Sequence, residues 1–203
     1  MKGIVSINVL LKRAVQLIVV GFCLCNAHFA LGQTFAVKSN LLYDATSTLN
    51  LGGELRCADN QTLSLSVNYN PWCFSDNKKM KHLLFQPEYR FWLSETAFSG
   101  WFVGAEAHYG AYNIGGMLPF VMNPTSEIAN RRYQGELYGA GITYGYQWII
   151  SPRINFEASI STGYTHFDYD VFGQTVNAAF IEAAKYNYLG FTQVGLSIIY
   201  LIK

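Results

Sequence analysis

The chain has 203 residues and a formal net charge of +1, with 51% hydrophobic, 16% aromatic and only 13% charged residues. This length suits one domain, and no stripe of basic residues of the kind that binds nucleic acid is present. Low charge with abundant Tyr, Phe and Gly is unusual in a soluble protein and is expected where one face of a protein meets lipid. The composition therefore excludes a nucleic-acid partner and favours a membrane protein.

The amino terminus has the features of an export signal. Three basic residues precede an apolar run over residues 14–24, and small residues at Ala30 and Gly32 suit cleavage by a signal peptidase. The run is shorter than the roughly 20 residues that a membrane-spanning helix needs. We therefore predict a signal peptide over 1–32 and an exported domain over 33–203. Removing the signal takes away three of the 14 basic residues and none of the 13 acidic ones, which leaves a net charge near −2.

Two long segments around Ser151-Pro152-Arg153 alternate between apolar residues and small or polar ones, from Tyr138 to Ile150 and from Ile154 to Tyr164. Successive side chains of a strand point to opposite faces, so each segment predicts a strand with one apolar face. Each is long enough to cross a bilayer at a tilt, which takes roughly 9–11 residues. The same pattern predicts eight strands along the chain, with a bulge at Pro87 because proline lacks a ladder donor. The expected strands are 35–45, 49–57, 61–70, 82–93, 100–111, 136–150, 154–166 and 188–202.

The connections between these strands alternate in length. The connections 58–60, 94–99 and 151–153 are short, whereas 71–81, 112–135 and 167–187 are long. Short periplasmic turns and long outer loops are typical of outer-membrane barrels. We therefore predict an all-β fold, an eight-stranded antiparallel up-and-down transmembrane β-barrel located in the outer membrane. Cys57 and Cys73 would lie at opposite ends of such a barrel and are expected to remain unpaired.

Whether the apolar faces of the strands point into the barrel or out of it decides between two barrel classes. A secreted lipocalin-like carrier would turn its apolar face inward around a ligand and would carry many charges outside. Here the polar faces are rich in Gly, Ser, Thr, Asn and Gln, which fit a narrow interior, so we expect the apolar faces to meet outer-membrane lipid. A barrel of eight strands leaves no aqueous channel, which disfavours a porin. The expected interior charge cluster, with a structural role, comprises Lys38, Glu54, Arg56, Glu88, Arg90, Glu106, His108 and Glu157.

Several blocks of the sequence resemble a known family. These include Asn40-Leu41-Leu42-Tyr43-Asp44-Ala45-Thr46, Gln86-Pro87-Glu88-Tyr89-Arg90-Phe91-Trp92 and Tyr144-Gly145-Tyr146-Gln147-Trp148. In this order they are similar to a domain-of-unknown-function family of small outer-membrane β-barrels from Gram-negative anaerobes. More distantly, the architecture resembles the transmembrane part of OmpA-type proteins. The resemblance implies no enzymatic activity, and it suggests a link to fimbrial or surface assembly.

The sequence shows no catalytic constellation, cofactor motif or metal site. Glu106 and His108 share a strand face, and we interpret them as an interior hydrogen-bonded pair rather than half a metal site. The predicted function is therefore a structural or surface-interaction role of a monomeric barrel, through contacts of loops 112–135 and 167–187 with a protein or glycan. An outer-membrane enzyme acting on lipid or lipopolysaccharide and a lipocalin-like carrier are the alternatives. The candidate loop contacts are Met117, Phe120, Met122, Arg131 and Arg132.

Overall fold

The computed structural model describes residues 35–73, 79–116, 131–173 and 178–202. These form eight strands and one short helix, within a compact unit that spans Thr34–Ile202. No helix among the described residues is long and apolar enough to cross a membrane. The elements are β1 Phe35–Asn40, α1 Leu41–Ala45, β2 Leu49–Ala58, β3 Gln61–Asn70, β4 Lys79–Trp92, β5 Gly100–Gly115, β6 Arg131–Ile149, β7 Ile154–Gly173 and β8 Phe180–Ile202.

The eight strands form one antiparallel up-and-down sheet, in which each strand pairs with the next in the chain. The sheet closes into a barrel because β1 also pairs with β8, from Phe35 opposite Ile202 to Asn40 opposite Ser197. Closure provides hydrogen-bond partners for most of the strand edges without a second sheet. The predicted all-β, eight-stranded antiparallel arrangement is therefore confirmed.

The inner and outer faces of the barrel wall differ in polarity, as the alternation along the strands predicts. The interior holds buried polar and charged side chains, such as Glu54, Arg90 and Ser161, whereas large apolar side chains such as Ile142 and Leu196 are exposed on the outside. An apolar interior of the lipocalin type is therefore contradicted. Aromatic residues exposed on the outer side include Tyr69, Tyr89, Phe91, Trp101, Tyr138, Tyr144, Trp148, Tyr164, Phe191 and Tyr200.

The first expected strand, 35–45, ends earlier than its apolar pattern indicated. β1 stops at Asn40 and the chain turns into helix α1, because the Asn40 side chain caps the helix by accepting a hydrogen bond from the Leu42 backbone N–H at 3.1 Å. Beyond the last β1–β2 residue pair, the side chain of Asn50 provides the hydrogen bonds that a paired strand residue would otherwise make. Its side chain accepts from the Asn40 N–H at 2.6 Å and donates to the Asn40 carbonyl at 3.1 Å.

Strands β5 to β8 extend further than expected at the end with the long connections. Residues 112–115 belong to β5, 131–135 to β6, 167–173 to β7 and 180–187 to β8, so the predicted loops 112–135 and 167–187 were too long. Polar residues such as Asp168 and Asp170 suggested a loop, but each pairs in register with a β8 residue. Cross-strand pairing thus prevails over the low strand propensity of aspartate.

Pro87 does not form the bulge that was predicted. The register between β3 and β4 runs unbroken through Leu65 opposite Pro87. On the other side, β4 and β5 keep one register from Phe85 opposite Tyr109 to Glu88 opposite Glu106, with pairs lacking only at Gln86 and Pro87. The strand therefore tolerates proline by giving up hydrogen bonds towards β5 rather than by inserting a residue.

The short-turn end of the barrel is closed by the connection between β4 and β5. Phe98 has a positive φ of 67° and packs inside, with its ring centroid 6.0 Å from that of Trp92. The Phe102 ring is tilted against Trp92 with the ring centroids 4.9 Å apart, and Asn155 Nδ2 donates to the Phe98 carbonyl at 2.9 Å. This apolar plug, Ala36, Trp92, Phe98, Phe102 and Ile199, is fully or almost fully buried. At the short-turn end, the barrel core is therefore an apolar layer, and a polar layer follows it towards the other end of the barrel.

Candidate functional site

The interior above the plug contains an ion-pair cluster centred on Arg90, which β4 directs inward. Its guanidinium makes a two-pronged contact with Glu157, through Nη1 to Oε2 at 2.7 Å and Nη2 to Oε1 at 3.1 Å. The same group donates to Glu54 at 3.1 Å and to Glu88 at 2.8 Å. Charge-assisted bidentate pairs are the strongest hydrogen bonds that side chains form, so Arg90 ties together strands β2, β4 and β7.

Further contacts complete this cluster. Lys38 Nζ lies 3.6 Å from Glu54 Oε2, and Thr62 donates to Glu54 Oε1 at 2.6 Å. The Arg90 guanidinium also lies 4.3 Å from the centre of the Phe102 ring, a cation–π contact that joins the cluster to the plug. Three buried carboxylates thus face two cations, and the stability of the interior depends on Arg90 being present.

Arg56 lies apart from this cluster, although the strand pattern predicted it inside. Its side chain is 35% exposed and lies 3.6 Å from Asp59, in the turn that follows β2. β2 ends at Ala58, so Arg56 sits at the rim where the interior opens at the turn. Strand parity alone indicated the face of the sheet but not the height of the residue along the barrel.

Glu106 and His108 occupy a second interior layer, on β5. His108 Nδ1 lies 3.0 Å from Glu106 Oε2, and its Nε2 lies 2.8 Å from Thr165 Oγ1 on β7. Thr192 of β8 donates to the other oxygen of Glu106 at 2.7 Å. A hydroxyl, an imidazole and a carboxylate in this order are the elements of a nucleophile, base and orienting acid. The sequence had indicated only the Glu106–His108 half, since its other members come from distant strands.

The exposure of these residues limits what the second layer does chemically. Thr165 is 4% exposed, His108 6% and Glu106 4%, so a substrate has no open route to the hydroxyl. Gly139 lies directly behind His108, where a Cβ would come within 2.3 Å of Nε2. Both oxygens of Glu106 and both ring nitrogens of His108 are used within the wall. The arrangement therefore joins β5, β7 and β8, as the satisfied polar networks of protein cores do.

The space left between these layers is small. A cavity of about 10 Å³ lies beside Arg90, Lys38 and Glu157. This is roughly the space that one water molecule requires. Gly104 shows how closely the interior is filled, because a Cβ there would lie 2.5 Å from Glu88 Oε1. This part of the interior therefore holds side chains rather than an aqueous path.

Tyr43 on helix α1 reaches the same cavity from the end with the long connections. Burial raises its pKa to about 12, and the nearby charge of Glu106 adds to the shift. Helix α1 follows β1 and contacts β1, β2 and β8. The sequence signal for this helix is the capping Asn40 followed by three apolar residues, which the predicted strand 35–45 included.

The predicted loop-contact residues fall into two groups. Met117, Phe120 and Met122 lie outside the described residues. Arg131 and Arg132 belong to β6 rather than to a loop. Arg131 Nη1 lies 3.9 Å from Glu182 Oε1, and the Arg132 guanidinium lies 4.5 Å from the centre of the Phe172 ring. At the outer end of the sheet, Arg131 therefore contacts β8 and Arg132 contacts β7.

Two further sequence predictions concern the cysteines and metal binding. Cys57 and Cys73 are not joined by a disulfide bond, and both are exposed. Within residues 35–73, 79–116, 131–173 and 178–202, no group of three or more His, Cys, Asp or Glu side chains is arranged to hold a metal ion. The chemistry that the described interior offers is ion pairing and hydrogen bonding between strands.

Together, the closed antiparallel sheet, the filled polar interior and the apolar outer face define a small β-barrel whose interior is a core rather than a channel. The chain belongs to the DUF3575 family, a family of proteins of unknown function, whose model matches residues 16–202. No curated protein matches the chain.

Proposed function

We propose that the protein is a small, non-porin β-barrel of the bacterial outer membrane with a structural or surface-interaction role. The observation that carries the proposal is the exposure of large apolar side chains around the outside, from Leu51 on β2 to Ile198 on β8, with charged residues buried inside. A soluble protein rarely leaves apolar patches of this extent in water, whereas a lipid-facing wall requires them. The predicted signal peptide over 1–32 agrees with export.

The distribution of the outer aromatic residues supports the same proposal. On β6 and its neighbour β5, Trp101 and Trp148 lie towards the short-turn end, Ile142 lies between, and Tyr138 lies towards the other end. Trp and Tyr are enriched at both boundaries of a bilayer, with aliphatic residues in the hydrocarbon between them. The short turns would then face the periplasm and the long strands β5 to β8 would project outward.

Transport is not part of the proposal, because the ion pairs and the apolar plug occupy the described interior. We assign the contact with a partner to the outer ends of β5 to β8, together with the β5–β6 and β7–β8 connections. Loops on a rigid barrel are common binding sites. We propose a protein or glycan at the cell surface as the partner, and a fimbrial component is the candidate that the family resemblance suggests.

An outer-membrane enzyme acting on lipid or lipopolysaccharide is the second candidate function. The observation that favours it is the order of Thr165, His108 and Glu106, which places a hydroxyl beside an oriented imidazole. The burial of all three residues ranks it below the structural proposal, because acyl transfer requires the reacting carbonyl to reach the hydroxyl.

The two native cysteines test the proposed location and orientation. Cys57 lies near the short-turn end of β2, and Cys73 follows β3 at the other end. A membrane-impermeant maleimide added to intact cells should label Cys73, and Cys57 should react only after the outer membrane is permeabilised. Mass spectrometry of tryptic peptides reads the two sites separately, and the variants Cys57→Ser and Cys73→Ser assign the signals. Labelling of Cys57 alone in intact cells would reverse the proposed orientation, and equal labelling of both would argue against insertion.

The surface-interaction role is tested by replacing residues 117–130 with a short Gly-Ser linker, which leaves β5 and β6 intact. We expect the barrel to fold and insert as before, while surface adhesion or fimbrial assembly is lost. Loop closure depends only weakly on length, so a shorter connection is tolerated. A strain with unchanged adhesion, surface assembly and envelope integrity would contradict a role for this connection, and a replacement of equal length serves as the control.

A further inference from the structure

Strand β8 is paired along its whole length on only one of its two edges. On one side it pairs with β7 from Phe180 to Tyr200. On the other side it pairs with β1 only from Ser197 to Ile202, because β1 ends at Asn40. No other described residue forms a ladder with this second edge of β8. The barrel is therefore closed in its lower part. Above it, this edge of β8, which we call the free edge, has no ladder partner among the described residues.

At the lower end of this free edge, the side chain of Asn40 provides hydrogen-bond partners for the β8 backbone. Asn40 accepts from the Leu196 N–H at 3.2 Å and donates to the Val194 carbonyl at 3.2 Å. These bonds also show that residues with outward side chains direct their backbone groups to this edge, since side-chain face and backbone direction alternate together along a strand. Above the bulge at Thr192, the residues with outward side chains and edge-directed backbone groups are Ala183, Lys185, Asn187, Leu189 and Phe191.

The free edge is regular over a length that suits strand pairing. Two register shifts in the pairing with β7 bound it, and ten consecutive pairs run between them, from Phe191 opposite Thr162 to Glu182 opposite Val171. Bulges, charges and prolines are the devices that protect natural edge strands. Here the bulges stand only at the two ends of the stretch. Leu189, 82% exposed, and Phe191 are uncovered large apolar side chains along it.

Part of this edge lies at the height of the apolar belt. Leu189 is opposite Tyr164 and Phe191 is opposite Thr162, and Tyr164 belongs to the exposed aromatic residues of the outer wall. If the barrel spans the membrane, unpaired backbone groups at this height face hydrocarbon or its boundary, where each costs several kcal/mol. The edge therefore needs a partner that supplies alternating backbone donors and acceptors, and an extended polypeptide strand meets that need.

A second copy of this chain does not fit the edge. Copies in one membrane share an orientation and are related by rotation about the membrane normal. Barrel strands tilt by roughly 35–45°, so two β8 edges would cross at about twice that angle and would pair over only a few residues.

The charge of the edge restricts the partner further. The only charged residues between Glu182 and Phe191 are Glu182 and Lys185, which are opposite in sign. Glu182 faces Arg131 at 3.9 Å, and Lys185 faces Asp168 at 3.0 Å. The stretch carries no net charge and complements an uncharged strand.

We propose that the free edge of β8 from Glu182 to Phe191 binds an extended, uncharged segment of another polypeptide by β-strand addition at the outer end of the barrel. This inference rests on the proposed surface-interaction role and assigns it to a protein partner rather than a glycan. Backbone hydrogen bonds to residues 183, 185, 187, 189 and 191 provide the binding, and Leu189 and Phe191 provide apolar contacts.

Amide hydrogen exchange of the protein in lipid nanodiscs, read residue by residue by NMR, tests the proposal. The probe is a ten-residue peptide of alternating threonine and valine, N-methylated at every second amide so that it keeps one hydrogen-bonding edge. Without peptide, the amides of Ala183 and Asn187, which lie beyond the apolar belt, should exchange rapidly, whereas those of Ala184 and Tyr188, directed at β7, should be protected. Peptide should slow the first group by about tenfold or more, as ladder formation does. The same peptide methylated at every amide should have no effect.

Variants separate backbone pairing from side-chain contact. Ala183→Pro and Leu189→Pro each remove an edge-directed N–H without touching the β7 ladder, and both should weaken peptide binding. Lys185→Gln, which keeps the backbone intact, should bind normally. Protection of the edge amides in the protein alone would overturn the proposal, because another part of the chain would then cover the edge. Lack of protection by the one-edged peptide, or binding of a surface glycan in its place, would also overturn it. If the barrel fails to insert into lipid, the proposed function fails, and the same exchange measurement in detergent still decides the question of the edge.

Discussion

Arg90→Ala is expected to lower the free energy of unfolding by about 3–5 kcal/mol, the range for breaking a buried ion pair by removing one partner. Arg90 is almost completely buried and donates to Glu54, Glu88 and Glu157. Without the guanidinium, three carboxylates share one interior, with Lys38 as the cation that remains beside them. Urea unfolding of the refolded barrel, followed by tryptophan fluorescence, measures the change.

Two controls make this result specific to the cluster. Arg153→Ala changes an exposed arginine in the turn before β7 and should shift stability by no more than about 0.5 kcal/mol. Adding Glu157→Gln to the Arg90→Ala variant should recover part of the loss, because it removes one of the uncompensated charges. If Arg90→Ala unfolds at the same urea concentration as Arg153→Ala, the interior cluster does not contribute to stability as described.

Ile160→Lys is the second substitution with a large expected effect, a loss of about 2–4 kcal/mol in a bilayer, as measured for cations at the midplane of barrel proteins. Ile160 is 40% exposed on the outer face of β7, opposite Tyr144 and Val194. In water an exposed isoleucine is replaced by lysine almost without cost, but in hydrocarbon the ammonium loses its hydration. Unfolding from lipid vesicles measures the effect.

The matched control is Ile181→Lys, the same change at an exposed residue near the outer end of β8. There the lysine reaches water or headgroups, and the expected loss is about 0–1 kcal/mol. Equal effects at the two positions would mean that Ile160 does not face the hydrocarbon.

The strands are the part of the fold that the sequence predicts best. β3 has the bounds expected from the alternation of Leu63, Leu65 and Val67 with Ser64 and Ser66, and β7 begins where predicted, at Ile154. Alternation succeeds because burial on one face forces a period of two residues. The same rule places Glu54, Arg90 and Glu157 inside.

The ends of elements were harder to predict from the sequence. The run from Leu41 to Tyr43 is apolar without alternation, and the capping side chain of Asn40 decides in favour of a helical turn. The outer parts of β7 and β8 contain Asp168, Asp170 and Asn187, which are common in loops. They are strands because the pairing between β7 and β8 continues through them. Neither outcome follows from composition.

The partners within the interior depend on the stagger of the barrel, which the sequence does not reveal. Arg90 and Glu157 are 67 residues apart in the chain, and His108 and Thr165 are 57 apart. Each pair meets only because the strands tilt and close with a particular offset. The plug formed by Trp92 and Phe102 has the same origin. Both residues have inward parity, but their contact with Phe98 comes from the fold of a turn.

The central claim, that the apolar outer wall faces lipid, is tested most directly by fluorescence quenching from brominated acyl chains. Trp101 and Trp148 are exposed on the outer face, whereas Trp92 is fully buried in the interior. Variants that retain one of these three tryptophans, with the others and Trp72 replaced by phenylalanine, are reconstituted in vesicles of brominated lipid. Strong quenching of Trp101 and Trp148, with Trp92 much less affected, is the result we predict. Quenching of Trp101 and Trp148 by aqueous iodide, without any effect of the brominated lipid, would contradict it.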